Sequence, residues 1–326
     1  MIEIQKCVDR EEWDEYVLEH GGHPLQLWAW GQLKTAHGWT AERYFGYEGE
    51  KIIGAAQVLI RPLPLPFRRF AYVPRGPVVK GEHAADLLNG IAERVKSEYS
   101  PVALSVEPDG VGFEKPEGWQ RSVNKVLPAE TIVLDLKKSE SDLLAVMAKK
   151  TRQYIRKSAA DGVTIKQVKN LQNLNACLDI YESTSSRAQF NVHSRQYYLD
   201  VYQLMGDHSP VFAAYSGGEP IAFLWMAISA DVAFELYGGV NEVGQELRAN
   251  YALKWHVIRK MKEWGLRTYD FGGFVEGGVT IFKQGWAEEE TVLAGTFDKP
   301  LSPTYVLWSK ILPFAKKTVQ TIRKKR

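Results

Sequence analysis

Two stretches of the sequence, YEGEKIIGAAQVLI (residues 47–60) and YSGGEPIAFLWMAI (residues 215–228), align without a gap at an offset of 168 residues. Each begins with a tyrosine, passes through a glycine-containing turn and ends in a run of apolar residues typical of a strand. Gly49, and Gly217 with Gly218, supply the positive φ that a tight hairpin turn requires. A hairpin that recurs at half the chain length predicts two structurally similar domains.

The segments around the hairpins predict the remaining elements. In the first half, apolar residues recur at helical spacing over 83–99, and residues 102–108 and 131–136 have the composition of strands. Mixed helices and strands that include hairpins indicate an α+β (mixed α/β) fold. In the second half we predict helices at 139–160, 171–188, 194–206 and 245–264, and strands at 163–168, 210–215, 220–229, 232–238 and 267–271.

This order of hairpin, strand and helix is how the acetyltransferase-like (GNAT) fold is organised. In that fold a loop of the form R/Q-x-x-G-x-G/A binds the coenzyme A pyrophosphate through its backbone N–H groups. The corresponding segment of the second half, NEVGQELRANYALKW (241–255), has a different glycine spacing, and PRGPVV (74–79) loses one donor at Pro77. GxGxxG and Walker motifs are also missing from the sequence. We therefore expect an acyl donor other than acyl-CoA.

Composition and charge set the class of protein. A chain of 326 residues with 45% apolar and 25% charged residues is long enough for two packed domains. Cys7 and Cys177 are the two cysteines, which favours neither a disulfide framework nor a zinc site and is typical of a reducing cytoplasm. The start, MIEIQKCVDREEW, has no apolar signal core, and no apolar run is long enough to span a bilayer. We expect a soluble cytoplasmic protein without a metal.

Six stretches, in order along nearly the whole chain, resemble the FemABX family of aminoacyl-tRNA-dependent peptidoglycan bridge-forming aminoacyltransferases. The resemblance implies two tandem GNAT-like domains, in residues 1–136 plus 296–326 and in residues 137–295. It also implies that the C-terminal segment packs back on the first domain. No sustained heptad run is present, so the chain resembles the members without a coiled-coil arm. The stretches are QLWAWGQLKTAHGW (26–39), GAAQVLIRPLP (54–64), FAYVPRGPVV (70–79), KKTRQYIRKSAADGV (149–163), LRANYALKWHVIRKMKEWGLRTYDFGGF (247–274) and GVTIFKQGW (278–286).

The resemblance also implies site residues. The family's ligands for the diphosphate of the muramyl pentapeptide fall on Lys34 and Arg195, and its essential Phe-Lys pair falls on Phe282 and Lys283. Further candidates for substrate binding are Trp30, Arg75 and Tyr215.

The stretch GGVTIFKQGW (277–286) places Lys283 among apolar residues. Either its ammonium reaches water past an apolar stem, or it meets an anion. The resemblance favours the second interpretation, with Lys283 stabilising an oxyanion or binding the end of the tRNA and Phe282 stacking on the terminal adenine. Asp270 and Glu276 are nearby candidates for a general base, although Asp270 is equally placed to cap a turn. We expect no covalent enzyme intermediate and no cofactor.

Basic residues predict contacts with phosphate or lipid. Lys149, Arg152 and Arg156 recur at i, i+3 and i+7 on one helix face, which is either a track for the tRNA backbone or a solvated face. The net charge is +2, but residues 302–326 carry seven basic and no acidic residues, so the rest of the chain carries −5. The C-terminal helix pattern is either an amphipathic membrane-surface helix or a helix packed on the first domain with a free basic tip.

The sequence thus predicts a monomeric aminoacyltransferase that transfers an amino acid from aminoacyl-tRNA to the stem-peptide amine of a peptidoglycan precursor. The precursor is either a UDP-linked muramyl pentapeptide or lipid II, and a peripheral contact with the inner face of the cell membrane is compatible with either. Three alternatives remain at this point. They are an acyl-CoA-dependent N-acyltransferase, a tRNA-dependent aminoacyltransferase that acts on lipid or protein, and a non-catalytic module that binds tRNA or membrane.

Overall fold

Both hairpins of the sequence repeat are present in the computed structural model of the protein, which describes residues 2–188, 190–274 and 278–311. The chain divides into a first unit, Met1–Ala129 with Val292–Arg326, and a second unit, Glu130–Thr291. The second unit is therefore inserted into the first along the chain.

The first unit begins with two helices and the first repeat hairpin. In chain order its elements are β1 (Glu3–Lys6), α1 (Arg10–Glu19), α2 (Trp28–Ala36), β2 (Thr40–Glu48), β3 (Lys51–Pro62), β4 (Arg69–Pro74), β5 (Val78–Val79), α3 (Gly81–Tyr99), β6 (Ala103–Glu107) and β7 (Gln120–Arg121).

The second unit then adds most of the remaining elements. They are β8 (Glu130–Thr131), β9 (Val133–Asp135), α4 (Glu140–Ala145), α5 (Lys149–Ala160), β10 (Thr164–Gln167), α6 (Leu171–Ala188), α7 (Arg195–Met205), β11 (Val211–Ser216), β12 (Glu219–Ile228), β13 (Val232–Val240), α8 (Glu242–Glu246), α9 (Ala249–Glu263), β14 (Thr268–Asp270) and α10 (Gly278–Gln284). A two-residue strand, β15 (Thr291–Val292), ends it, and β16 (Phe297–Pro300) follows in the first unit.

The two main sheets have the same strand pattern. The first runs β1-β2-β3-β4-β6-β16-β7, with β5 on β3, and the second runs β10-β11-β12-β13-β14-β9. In each, a hairpin is followed by an antiparallel strand, then by a parallel strand reached through a helix, then by another antiparallel strand. Even the register shift of the hairpin recurs, at Gly46/Tyr47 in one sheet and at Ala214/Tyr215 in the other. The gap-free alignment of the hairpins therefore reflects a real structural repeat.

One predicted strand joins the other sheet. Residues 131–136 were expected in the first domain, but β9 pairs antiparallel with β14, for example Tyr269 with Leu134, and thus belongs to the second unit. The division between the units accordingly falls before residue 130, and not after residue 136 as the sequence indicated. The corresponding strand of the first sheet is β16, which comes from the other end of the chain and pairs with β6.

Two predicted helices are each interrupted once. The helix expected at 139–160 is α4 and α5, because the Ala148 N–H donates to the Gly285 carbonyl and not to its own helix. The Arg152 guanidinium closes this break by donating to the carbonyls of Leu144 and Ala145, at 3.0 and 3.1 Å. The helix expected at 245–264 begins as α9 only after Arg248, which adopts a left-handed conformation (φ 54°). In the described residues the longest helices are α3 and α6, with 19 and 18 residues, and neither is part of a coiled-coil arm.

Each sheet is covered by an amphipathic helix. In the first unit α3 buries an apolar stripe that includes Leu87, Leu88 and Ile91 against the sheet. In the second unit α9 buries Leu253, Val257, Ile258 and Met261 in the same way. Helical spacing of apolar residues thus places one long helix over each parallel strand pair. The stripe of α9 contains one exception, a charged residue, which is described below.

Candidate active site

Lys283 lies on α10 with its ammonium buried. The residue is 9% exposed, and its Nζ donates hydrogen bonds to the main-chain carbonyls of Phe271 and Gly273, the second at 2.8 Å. A lysine that only extended its charge to water would leave the ammonium exposed. Of the two interpretations left open by the sequence, simple extension to water is therefore wrong. Two of the three N–H donors are used, and the third has no acceptor among the residues that the structure describes.

The carbonyls that hold Lys283 belong to a tightly fixed turn after β14. Gly272 and Gly273 both have positive φ, 72° and 84°, and a Cβ on Gly272 would lie 2.3 Å from the Glu235 carbonyl oxygen. Asp270 Oδ1 accepts from Gly272 N at 2.8 Å and from Thr131 Oγ1 at 2.6 Å. Glycine is required here because the backbone passes so close to β13. Asp270 therefore caps this turn, while Glu276, the other candidate base, lies outside the described residues.

A second buried lysine, Lys254 on α9, faces the same region. It is 3% exposed, and its Nζ lies 2.7 Å from Glu235 Oε1 and 2.9 Å from Oε2. The Tyr269 hydroxyl donates to the same Oε1 at 2.9 Å. A buried charge needs such a partner, because an isolated ion loses its hydration. Sequence reasoning missed this pair, although Lys254 stands in the apolar stripe four and seven residues before Ile258 and Met261.

Aromatic rings surround the Lys254 ammonium. Lys254 Nζ lies 4.0 Å from the centroid of the Phe271 ring, 5.1 Å from that of Phe282 and 5.8 Å from that of Trp286. Tyr251 packs edge-on against Phe282 at 4.8 Å. Phe282 thus forms part of an aromatic wall beside Lys254, and its predicted role in stacking on the terminal adenine stays a prediction.

Burial changes the proton affinity of both ammonium groups. It lowers the pKa of Lys283, an effect that the carboxylates of Glu235 and Asp270 partly offset. Burial also lowers the pKa of Lys254 to about 8, where Glu235 opposes the change and the charge of Lys283 adds to it. Both lysines therefore titrate closer to neutral pH than exposed lysines do.

In the first unit, Lys34 stands among aromatic rings at the end of α2. Its Nζ lies 4.3 Å from the centroid of the Trp30 ring, and Arg61 lies 5.5 Å from that of Trp39. Burial and the nearby Arg61 lower the pKa of the half-buried Lys34 to about 8. The predicted substrate residues Lys34 and Trp30 are therefore neighbours in a cationic, aromatic surface, a combination suited to an anionic ligand.

Two other predicted substrate residues lie in the interior. Arg75 is 2% exposed, donates to the Pro128 carbonyl at 3.1 Å and lowers, together with burial, the pKa of His23. Tyr215 is 8% exposed on β11, where burial raises its pKa. Trp30 is equally buried, at 7% exposed, so burial alone does not separate these residues from the other candidates, and their assignment to substrate binding stays a prediction.

Arg195, the other predicted phosphate ligand, begins α7 and is paired with acidic side chains. Its Nη2 contacts Asp179, its Nε donates to Glu182 at 3.2 Å, and its Nη1 donates to Asn175 Oδ1 at 3.1 Å. The hydrogen bond that Arg195 donates to Asp179 is the main reason why the pKa of Arg195 is raised. A third of the side chain is exposed, so a phosphate that binds there has to compete with two carboxylates.

The basic residues of α5 divide into two groups. Arg152 is held by the carbonyls that close the α4–α5 break, whereas Lys149 and Arg156 are exposed. Lys150 and Lys157 are exposed beside them. The predicted phosphate-binding face therefore consists of exposed lysines and Arg156. Arg152 instead stabilises the α4–α5 break through its hydrogen bonds to main-chain carbonyls.

The described part of the chain contains neither a metal-binding cluster nor a membrane-spanning helix. No three His, Cys, Asp or Glu side chains there are close enough to bind a metal ion. Likewise, none of the helices described is long and apolar enough to cross a membrane.

Similarity to known proteins extends over nearly the whole chain. A model of the FemAB family matches residues 8–109, 115–216 and 219–312. The lipid II:glycine glycyltransferase of Staphylococcus haemolyticus (strain JCSC1435) is 20% identical over 401 aligned residues, which cover 94% of this chain and 95% of that protein.

Solved structures support the same architecture. The crystal structure of FemX has a TM-score of 0.82 at 18% identity and covers 94% of this chain and 100% of that one. A tandem GNAT protein from the clavulanic acid biosynthesis pathway has a TM-score of 0.53 at 12% identity, with 93% and 99% covered. These likenesses confirm the predicted fold of two tandem GNAT-like domains.

Proposed function

The chain belongs to the FemAB family, and on that premise we propose that it transfers an amino acid from aminoacyl-tRNA to the stem-peptide amine of a peptidoglycan precursor, forming interpeptide bridges. The observation that carries this proposal is the buried ammonium of Lys283, fixed by two carbonyls and with no acceptor for its third donor among the described residues. The S. haemolyticus relative, named a lipid II:glycine glycyltransferase, supports a peptidoglycan precursor as acceptor.

The reaction needs positioning and charge stabilisation more than covalent chemistry. The amine nitrogen attacks the ester carbonyl carbon, a new C–N bond forms, and the ribose oxygen leaves when the C–O bond breaks. Negative charge collects on the carbonyl oxygen in the tetrahedral intermediate, and a preorganised cationic donor stabilises it. Lys283 suits this role because the Phe271 and Gly273 carbonyls hold its ammonium before the substrate arrives.

The proton released by the amine goes to the departing ribose oxygen, so the overall transfer consumes no external acid or base. Asp270 already accepts hydrogen bonds from Gly272 N in its own turn and from Thr131 Oγ1 on β8, which argues against a role as the proton acceptor. We therefore assign the relay of this proton to the tRNA ribose or phosphate beside the ester, without a cofactor or a covalent enzyme intermediate. Phe282 provides the ring on which the terminal adenine stacks.

For the acceptor, we propose that Lys34 and Trp30 bind the diphosphate of the precursor, with Arg61 adding a second positive charge. Arg195 is proposed for the same group on the family resemblance. Its pairing with Asp179 and Glu182 makes its contribution smaller than that of Lys34. For the donor, the exposed Lys149 and Arg156 of α5 are proposed to contact the tRNA backbone. We propose that the protein acts as a monomer.

We also propose a peripheral contact with the inner membrane surface, within the cytoplasm. In helical residues 305–311, Val306, Leu307 and Ile311 are 61, 47 and 42% exposed. Trp308 packs on Phe67 at 5.1 Å, next to Leu65, which is 83% exposed. Exposed apolar side chains beside cations suit a membrane interface. The remaining residues of the predicted C-terminal helix, 312–326, lie outside the described residues, and six of them are basic.

Mass spectrometry of muropeptides, with the gene present and deleted, tests the proposal directly. We expect deletion to remove one amino acid from the branch of the stem peptide, and an in vitro assay with charged tRNA to restore it. Unchanged muropeptides, together with transfer from acyl-CoA by the purified protein, would contradict the proposal and favour an acyl-CoA-dependent enzyme. Transfer from charged tRNA to lipid or protein in place of the stem peptide would leave the donor correct and the acceptor wrong.

A further inference from the structure

The two buried lysines of the second unit are coupled through one residue and one carboxylate. Phe271 contacts both: its ring lies 4.0 Å from Lys254 Nζ, and its carbonyl accepts a hydrogen bond from Lys283. Glu235 binds Lys254 directly, and its charge also favours the protonated form of Lys283 and so raises the pKa of that lysine. The Glu235 carboxylate therefore pairs with Lys254 and acts on Lys283 through its charge alone.

The charged and titratable groups around Lys283 come from three packed elements. β13 supplies Glu235, β14 supplies Asp270 and Tyr269, and α9 supplies Lys254 and Tyr251. Asp270 is fixed by its turn hydrogen bonds, and the two tyrosines remain neutral because burial raises their pKa. Lys254 and Glu235 are thus the pair whose net charge, and with it the electrostatic effect on Lys283, changes when either member is substituted.

We propose that Lys254 is a positioning residue for Lys283. Because Lys254 forms the ion pair with Glu235, the Lys283 ammonium stays hydrogen-bonded to the Phe271 and Gly273 carbonyls. This inference rests on the proposed function, in which that ammonium stabilises the oxyanion. Without Lys254, the Glu235 carboxylate has one cationic neighbour left, and Lys283 is drawn toward it and holds its proton more tightly. Lys254 thus keeps Lys283 available to a developing charge.

The geometry gives Lys254 a second effect on the same site. Its ammonium faces the rings of Phe271 and Phe282 at 4.0 and 5.1 Å, so cation–π attraction holds the wall on which we place the terminal adenine. A pair that only stabilised the fold would need neither the rings nor the proximity to Lys283. A structural role and a positioning role of the Lys254–Glu235 pair can be separated by experiment. Loss of a structural pair affects only unfolding, whereas loss of a positioning pair shifts the titration of Lys283.

The test measures how readily Lys283 is acetylated as a function of pH. Trace acetic anhydride reacts with neutral amines, and peptide mass spectrometry reports the extent of labelling at Lys283 in the folded protein without any turnover. We expect Lys254→Met to move the half-labelling pH of Lys283 upward by about one unit. Adding Glu235→Gln to form the double variant should reverse that shift, because both members of the pair are then neutral. Lys260→Met, which alters a partly exposed lysine of the same helix that pairs with Glu263, serves as the matched control.

Each outcome decides the proposal. If Lys254→Met leaves the Lys283 titration unchanged while the protein stays folded by near-ultraviolet circular dichroism, the pair is structural only and the inference is wrong. If the single variant does not fold, Glu235→Gln alone decides: it retains an acceptor for Tyr269 and leaves the Lys254 charge unopposed, so the half-labelling pH of Lys283 should move downward, and an unchanged midpoint contradicts the proposal. A shift in the double variant as large as one unit contradicts the proposal as well.

Turnover provides an independent reading. In Lys254→Met we expect kcat for transfer to fall at least tenfold with little change in KM for the acceptor, and the alkaline limit of kcat to move upward with the labelling midpoint. If labelling shifts as expected but no variant, nor the wild type, transfers an amino acid, the coupling of the lysines stands and the proposed function fails. If transfer occurs without the labelling shift, the proposed function stands and the coupling of the two lysines is wrong.

Discussion

Each unit places a buried glutamate on the parallel strand pair of its own sheet, on opposite strands of that pair, and satisfies it differently. In the first unit Glu107 of β6 accepts from the Tyr72 hydroxyl of β4, across the parallel strand pair. In the second unit Glu235 of β13 accepts from the Tyr269 hydroxyl of β14, across the corresponding pair. The rest differs: Glu107 accepts from neutral donors, namely Val126 N, Leu127 N and Thr296 Oγ1, whereas Glu235 pairs with the ammonium of Lys254.

This difference separates a structural centre from a reactive one. Neutral N–H and O–H donors from three segments hold Glu107 in place, and this arrangement ties chain segments together. An ammonium of lowered pKa beside a second ammonium has a charge that can change near neutral pH. One scaffold therefore supports both uses, and the partner of the carboxylate decides which.

The comparison is tested most strongly by Lys283→Met in the second unit. Removing the donor that stabilises the oxyanion should lower kcat for aminoacyl transfer by about 10²- to 10³-fold. Stability should change little, because methionine fills a similar volume and removes a buried charge. Steady-state kinetics and thermal unfolding measure the two effects, with Lys260→Met as control. Undiminished transfer by a folded variant would remove Lys283 from the mechanism.

In the first unit, Glu107→Ala should have the opposite profile. Loss of the carboxylate leaves several buried donors unsatisfied, so we expect the free energy of unfolding to fall by about 3 kcal/mol. Below its unfolding temperature the protein should keep most of its kcat. Urea unfolding and activity are measured on the same preparation, with the exposed Glu48→Ala as reference. A loss of kcat without a loss of stability would show that Glu107 also takes part in transfer.

The pH dependence of precursor binding tests the cation of the first unit. Because the pKa of Lys34 is lowered to about 8, its charge is present below that pH and lost above it. We expect the Kd for the precursor to rise by up to about fivefold between pH 8 and pH 9. The Lys34→Arg variant stays charged and should bind with little pH dependence over this range. Titration calorimetry separates this effect from the titration of Lys283, and equal pH profiles for both proteins would exclude Lys34.

The smallest expected effect concerns the exposed basic face of α5. Lys149→Ala with Arg156→Ala should raise KM for the charged tRNA several-fold and reduce the slope of log KM against log salt by about 1.5. Lys115→Ala with Lys125→Ala removes the same charge from exposed positions of the first unit and should leave the slope unchanged. Identical slopes in the two double variants would mean that the α5 face is only solvated.

Much of the fold follows from local patterns. The 47–60 and 215–228 hairpins carry their own turn glycines and strand residues, so neither depends on distant contacts. The boundary at residues 131–136 could not be read in this way. A strand pattern predicts β9 but does not say which sheet edge β9 pairs with, and that pairing joins residues more than 130 positions apart.

The candidate site divides in the same manner. Lys283 and Lys34 were identified from a motif resemblance, and the structure places one on two carbonyls and the other on a tryptophan ring. Arg75 and Tyr215 were assigned to a substrate from position alone, and their burial could not be known before packing was seen. Lys254 was missed for a similar reason: a single lysine in an apolar stripe resembles one that extends to the surface.

The sequence alone determined the doubled hairpin, the two-domain fold and the lysine of the Phe-Lys pair, because periodicity, turn glycines and short motifs act over a few residues. Only the tertiary structure decided that Glu235, Tyr269 and Lys254 meet behind that lysine. Their partnership arises from three separate elements brought together by sheet pairing and helix packing, and burial there removes the water that would otherwise weaken every charge–charge interaction.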